Sequence, residues 1–202
     1  MKHSMLIAGI LVAAAVTAQA RDPKPVDVMI YVKGDNKPPG SVDFGARATV
    51  TWMYARIGVR LVWRDGELGS SAASGSPVMI QLRFTEELRG DLSPEALAYA
   101  LPFGYGRTAI TVTYDRISFV AGRSSRAQAI LAHVLAHEIG HILQRTNGHA
   151  ETGVMKAHWK GQDYDAMSVK PLEFTSVDVD LIKEGLNGLK ARAASLSEKA
   201  SR

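Results

Sequence analysis

The stretch from Ser125 to Gln144 constrains this chain more than any other, because it is apolar enough to be buried and yet carries two histidines and a glutamate. Ser125 with Gln128 three residues on has the form of a capping box, and Ile130, Val134, Leu135, Ile139 and Ile142 then recur as one buried helical face. The pattern predicts a helix running to about Gln144 and stopped by Asn147-Gly148, a dipeptide suited to left-handed backbone. Inside it, His137 and His141 stand four apart. Four helical residues make about 400° of rotation and about 6 Å of rise, so both imidazoles leave one face a turn apart and can grip one ion.

Zinc suits two neutral imidazoles plus one more protein ligand, with a coordination position left for water. Glu138 can lie near that water without binding the metal and take its proton. The same HExxH spacing arises by chance on many helices, but here the helix is indicated independently and further candidate ligands follow at once. His133, a turn earlier, is read as a supporting or buried histidine, since three sites along one face would span about 12 Å. His149 lies just past the Asn147-Gly148 turn, which would bring the chain back under the helix.

The chain of 202 residues contains no cysteine, so any metal site must be built from His, Asp and Glu. Lys2 and His3 lead into an apolar run from Met5 to Val16 that closes on Ala18-Gln19-Ala20, the form of a secretory signal over residues 1–20. The expected product is one catalytic domain over 21–185 with a basic helical tail over 186–202, secreted or periplasmic and without stable membrane insertion. Most of the net charge of +4 traces to that tail, where Lys190, Arg192, Lys199 and Arg202 face only Glu198. The body is balanced, which argues against a nucleic-acid partner.

Val28 to Val32, Val59 to Trp63, Val78 to Phe84 and Thr108 to Ile117 read as strands, the last the most β-prone. A helix from an N-cap at Ser41 carries Ala46, Val50, Met53 and Ile57 inward and ends at Gly58. Gly66 to Pro77 is a flexible connection, Ser93-Pro94-Glu95 starts at most a turn or two of helix, and Leu101 to Arg107 is a loop. The last helix begins at Thr175, with Asp178 three residues on.

The segment AHEIGHILQRTNGHAETGVM resembles the metzincin metallopeptidases, whose pattern HExxHxxGxxH precedes a methionine-containing turn. The resemblance implies a zincin-like α/β fold: a single domain with a twisted mixed sheet, an antiparallel edge strand, an active-site helix and a C-terminal helix. It implies one catalytic zinc ion on His137, His141 and His149, Glu138 as catalytic base, and Met155 in Gly153-Val154-Met155 as the turn methionine. The chain departs from the pattern: Gln144 stands at the usual glycine and Asn147 at the usual third histidine, so the role passes to His149 through a loop two residues longer. His158 is the reserve ligand. Glu173, the carboxylate alternative of thermolysin-like enzymes, follows Pro171 and lacks a clear helical setting.

LAYALPFGYGRTAITVTYD resembles the matrixin segment before the active-site helix, but Tyr99 replaces the histidine of the structural zinc site, so no second zinc is expected. Peptide-bond hydrolysis is implied, with the strand Thr108 to Ile117, and Thr111 and Thr113 on it, as the edge on which an extended peptide or protein substrate pairs. Relatives with a tyrosine two residues after the turn methionine differ from this chain, which has Ala157 there, so zinc alone, His158 or Tyr164 is left to stabilise the oxyanion. Trp159 is read as core or cleft wall. Only Arg21 to Asp27 separates the expected cleavage site from the first strand, so no prosegment is expected and restraint would fall to a narrow cleft, metal supply or an unknown inhibitor. The rival expectation is a non-catalytic periplasmic zinc-binding protein that retains the fold.

Overall fold

In the computed structural model, which describes residues 25–69, 78–87, 93, 95–102, 108–122 and 126–200, the first strand shows how the sheet is covered. Along β1 (Val26–Gly34), Val28, Ile30 and Val32 are fully buried, whereas the alternate residues Met29 and Tyr31 are only half-buried. Period-two burial of this kind marks one face packed against the core. β2 (Val59–Asp65), β3 (Val78–Phe84), β4 (Ala98–Leu101) and β5 (Thr108–Val112) complete a mixed sheet in the order β2-β1-β3-β5-β4. β1, β2, β3 and β5 run parallel, and β4 pairs antiparallel with β5 at the edge. Register carries the buried side chains across: Ile30 lies beside Ile80, and Leu82 lies between Val32 and Ile110.

Parallel neighbours need a crossover, and α1 (Gly40–Ala55) supplies it between β1 and β2. Ala46, Val50, Met53 and Tyr54 form its buried face, and Gly58 takes the positive φ of 80° that lets the chain turn into β2. The helix begins at Gly40 after Pro39 with no side-chain cap, so Ser41 is not its N-cap. The Pro39 carbonyl instead accepts the Asp43 N–H at 2.9 Å.

The run Thr108 to Ile117 is not one strand. β5 ends at Val112 and Tyr114 opens α2 (Tyr114–Ala121), so Tyr114 to Ile117 are helical despite their β propensity. Nor is β5 an edge: Thr111 is paired with Arg83 on one side and Tyr99 on the other. Thr113 is buried at the strand-to-helix junction, its backbone N–H spent on the Leu97 carbonyl at 3.0 Å. The edge on that side of the sheet belongs to β4. Ser93 and Ala96 close a single turn, without a helix, just before it.

α3 (Ala127–Gln144) is buried without interruption from Ile130 to Gln144, which makes it a central rather than a surface helix. α1 holds it through the Tyr54 hydroxyl, which donates to the Ala136 carbonyl at 2.8 Å. Gln128 lies against Gly45 of α1; Ser125, its expected partner in the cap, is outside the described residues. α5 (Ser176–Ala200) crosses the far end of α3 at Gly185, where an added Cβ would lie 1.9 Å from the Leu143 carbonyl oxygen. Its start is a reciprocal cap: Thr175 N–H donates to Asp178 Oδ2 at 2.8 Å, and Asp178 N–H to Thr175 Oγ1 at 3.2 Å. Gln144 donates to the other Asp178 oxygen at 3.3 Å. α4 (Gly161–Val169) was not signalled by any apolar period and buries only Met167.

The leader expected over 1–20, Pro94 and most of the loops 66–77 and 101–107 lie outside the described residues, as does Arg202. Among those described, no helix is long and apolar enough to cross a membrane.

Candidate metal centre

His137 and His141 leave α3 toward a cleft of about 500 Å³ whose opposite wall is β4. Each has its Nδ1 held by a main-chain carbonyl: His137 by Val154 and His141 by Thr146, both at 2.9 Å. A carbonyl oxygen can only accept, so both Nδ1 atoms carry the hydrogen and both Nε2 atoms present lone pairs. These two Nε2 atoms lie 3.0 Å apart.

Burial, with the neighbouring His141 charge adding to it, pushes the His137 pKa down to about 3 against the help of the Val154 bond. Burial likewise takes His141 down to about 4. Both rings are therefore neutral near pH 7, and no proton stands between the two nitrogens. Two facing lone pairs at that separation repel unless a cation sits on them.

The third imidazole arrives from the loop after α3. The helix ends where Arg145 adopts left-handed backbone, φ 55° and ψ 45°, and donates its N–H to the His141 carbonyl. The expected turn residues Asn147 and Gly148 do not take positive φ. Thr146 Oγ1 accepts the Gly148 N–H at 2.9 Å, and the Ala150 N–H donates to the Met155 carbonyl at 2.8 Å, folding the loop back beneath the helix. His149 between those two bonds stacks on His137 with ring centres 5.3 Å apart and meets His141 edge-on at 4.9 Å. One nitrogen from each of His137, His141 and His149 lies within 4.8 Å of the others.

Met155 is fully buried directly below. A Cβ on Gly140 would stand 2.5 Å from its sulfur, so the glycine between the two helix histidines is what lets Met155 approach the helix backbone. Trp159 meets His137 edge-on at 5.3 Å and donates to the Gly153 carbonyl at 3.4 Å.

Glu138 lines the same cleft at 8% exposure, and burial alone raises its pKa to about 8. A buried carboxyl group with no partner among the described residues and three neutral imidazoles together lack one thing, a positive charge; a cation on the histidines would draw the carboxyl back toward its ionised form.

The other sequence candidates separate. His133 is fully buried with both nitrogens used, Nδ1 donating to the Ala129 carbonyl at 2.7 Å and Nε2 accepting the Leu172 N–H at 2.9 Å. His158 is exposed on the cleft wall, outside the three-histidine group. Glu173 points away, paired with Lys170 at 2.9 Å beside a separate pocket with Trp52 and Arg56. Tyr99 and Tyr164 line the cleft.

Sequence reading missed β4 as the cleft wall. Thr113 bonds to Leu97, so in the β4–β5 register Leu97, Tyr99 and Leu101 face β5, while Ala98 and Ala100 turn their N–H and C=O groups to the open edge. Alternation of alanine with larger residues was the available signal.

No family model matches the chain, and no curated protein does. Among solved structures it resembles the crystal structure of metalloproteinase-II from Bacteroides fragilis at 14% identity and TM-score 0.48, covering 80% of this chain and 53% of that one. The chain thus spans about half the length of that protein.

Proposed function

We propose that this chain is an exported zinc metallopeptidase that cleaves extended peptides, with His137, His141 and His149 as the metal ligands and Glu138 as the general base. One observation carries the reading: two neutral, carbonyl-anchored imidazoles aim lone pairs at each other across 3.0 Å with a third imidazole beside them. The donor set fits zinc, which favours neutral imidazoles whose other nitrogen is held by a carbonyl. When bound, zinc supplies a Lewis acid that polarises a carbonyl and acidifies water.

The chain's own groups account for the rest. Glu138 Oε atoms face the cleft beside the histidines, take the proton of the attacking water and deliver it to the leaving amine. Low exposure of that carboxylate keeps competing water away from it. Ala98 and Ala100 offer free main-chain donors and acceptors along β4, so a substrate in extended form adds a strand to the sheet and is held across the histidines. Met155, packed on Gly140, supports both helix ligands from below. A purely structural metal site has no use for a base beside it or for a 500 Å³ cleft over it.

The test is elemental analysis of the purified chain together with cleavage of a diverse quenched-peptide library. Wild type should hold one zinc and cleave; Glu138→Ala should hold zinc and be inactive; His149→Ala should lose zinc. A chain that takes up no zinc ends the proposal, and one that holds zinc yet cleaves nothing in the library favours the zinc-binding alternative.

A further inference from the structure

Outside the histidines and Glu138, the ionisable groups on the cleft wall are Glu95, Tyr99, Lys156 and Tyr164. Lys156 is neutralised within the fold, its Nζ donating to Asp163 Oδ2 at 2.8 Å, where the Lys160 N–H also donates at 2.7 Å. Glu95 is different. It stands exposed just ahead of β4, its N–H bonded to Ser93 Oγ at 3.3 Å, and no salt bridge ties its carboxylate to a cation among the described residues. The Arg116 guanidinium beside this stretch donates to the Ala96 carbonyl at 2.9 Å.

Tyr164 lines the same cleft as Glu95. Burial first, then the charges of Asp163 and Glu95, hold its phenol above the usual range. A carboxylate and an aromatic ring lining one cleft suit a cationic side chain, which gains from both the charge and the ring.

We propose that Glu95 and Tyr164 form a subsite for lysine or arginine, so that the cleft favours extended peptides with a basic side chain lying against the start of β4. The inference rests on the peptidase reading for its substrate and names the class of peptide. Glu95 precedes Ala98 by three residues, at most about 10 Å of chain. A peptide paired through Ala98 and Ala100 therefore passes Glu95 within two or three positions of those bonds. A solvent-facing pair of this kind changes affinity by about 1.5- to fivefold and weakens as salt is raised.

Two measurements on the zinc-loaded full chain test it. In the first, otherwise identical quenched peptides carry Lys, Gln or Glu at each position in turn, and kcat/KM is compared. In the second, the same peptides, fluorescently labelled, are titrated onto Glu138→Gln, which binds without turnover, and Kd is read by anisotropy. One position should rank Lys over Gln over Glu by about 1.5- to fivefold at each step, with the ratio shrinking in high salt. Glu95→Gln should bring the Lys-to-Gln ratio near one, and Glu95→Lys should turn the preference toward Glu.

A Lys preference that survives Glu95→Gln overturns the proposal, as does cleavage and binding indifferent to charge at every position. A wild-type chain that cleaves none of the peptides, while Glu138→Gln binds the Lys peptides in a Glu95-dependent way, overturns the peptidase reading and upholds the subsite.

Discussion

His133 and His137 stand one turn apart on the same buried helix, and their second nitrogens set them apart. His133 is closed, donating to Ala129 and accepting from Leu172. His137 is anchored by the Val154 carbonyl but leaves Nε2 facing His141. The two halves of α3 differ accordingly: the first is a strut that ties the helix to the segment before α5, the second a holder with open lone pairs. Burial is similar in both, so burial alone does not distinguish a structural histidine from a ligand; the partner of the second nitrogen does.

The largest effect expected from this contrast is on turnover. Glu138→Gln keeps size and metal but removes the base, and should lower kcat by about 10³-fold in a peptide assay while zinc content stays at one per chain. His137→Ala should lose zinc and activity together, whereas His133→Ala should keep the zinc. Its cost is in the fold, about 2–4 kcal/mol by urea denaturation, because the Leu172 N–H loses its acceptor and a buried ring is deleted. If His133→Ala releases zinc from a chain that is still folded, the division of α3 fails.

Chelation sharpens the same point. Removing metal should lower the melting temperature of wild type and leave that of His137→Ala unchanged, since only the former has metal-binding free energy to lose.

Acid provides a test of His133 itself. Burial, partly offset by the Ala129 bond, holds its pKa below 6.5 in the folded chain. The unfolded chain therefore binds a proton that the folded chain refuses, so the stability from His133 is present above about pH 6.5 and is lost as pH falls from there toward the folded-state value. In metal-free His137→Ala, replacing His133 with Gln should flatten that acid limb of the stability curve.

The smallest effect is at the helix end. Arg145 holds a left-handed conformation that disfavours a side chain by roughly 1 kcal/mol. Arg145→Gly should raise stability by about that much with metal content unchanged.

The parts of this molecule governed by local pattern were readable in advance. The core strands alternate, α3 has its apolar period, and the Thr175–Asp178 cap announces α5. The convergence of His149 on the helix pair also followed from chain order. What escaped is set by partners in space. β4 is built from Ala98, Tyr99, Ala100 and Leu101, a sequence with little strand preference that becomes a strand only because β5 lies beside it. The run after Val112 turns helical although its residues favour extension, so tertiary position overrode propensity there. Arg145 takes a backbone state that composition assigns to Asn147-Gly148, because the loop must deliver His149 and return to Met155 within a few residues.

The helix histidines are oriented by the oxygens of Val154 and Thr146, atoms that every amino acid possesses. Replacing either side chain leaves the oxygen in place, so point substitution is a blunt instrument against this arrangement. Changing the length of the chain between residues 145 and 155 is a sharp one: a single residue inserted directly after Arg145 would carry both oxygens and His149 out of register at once. The loop is thus protected against changes of letter and exposed to changes of spacing.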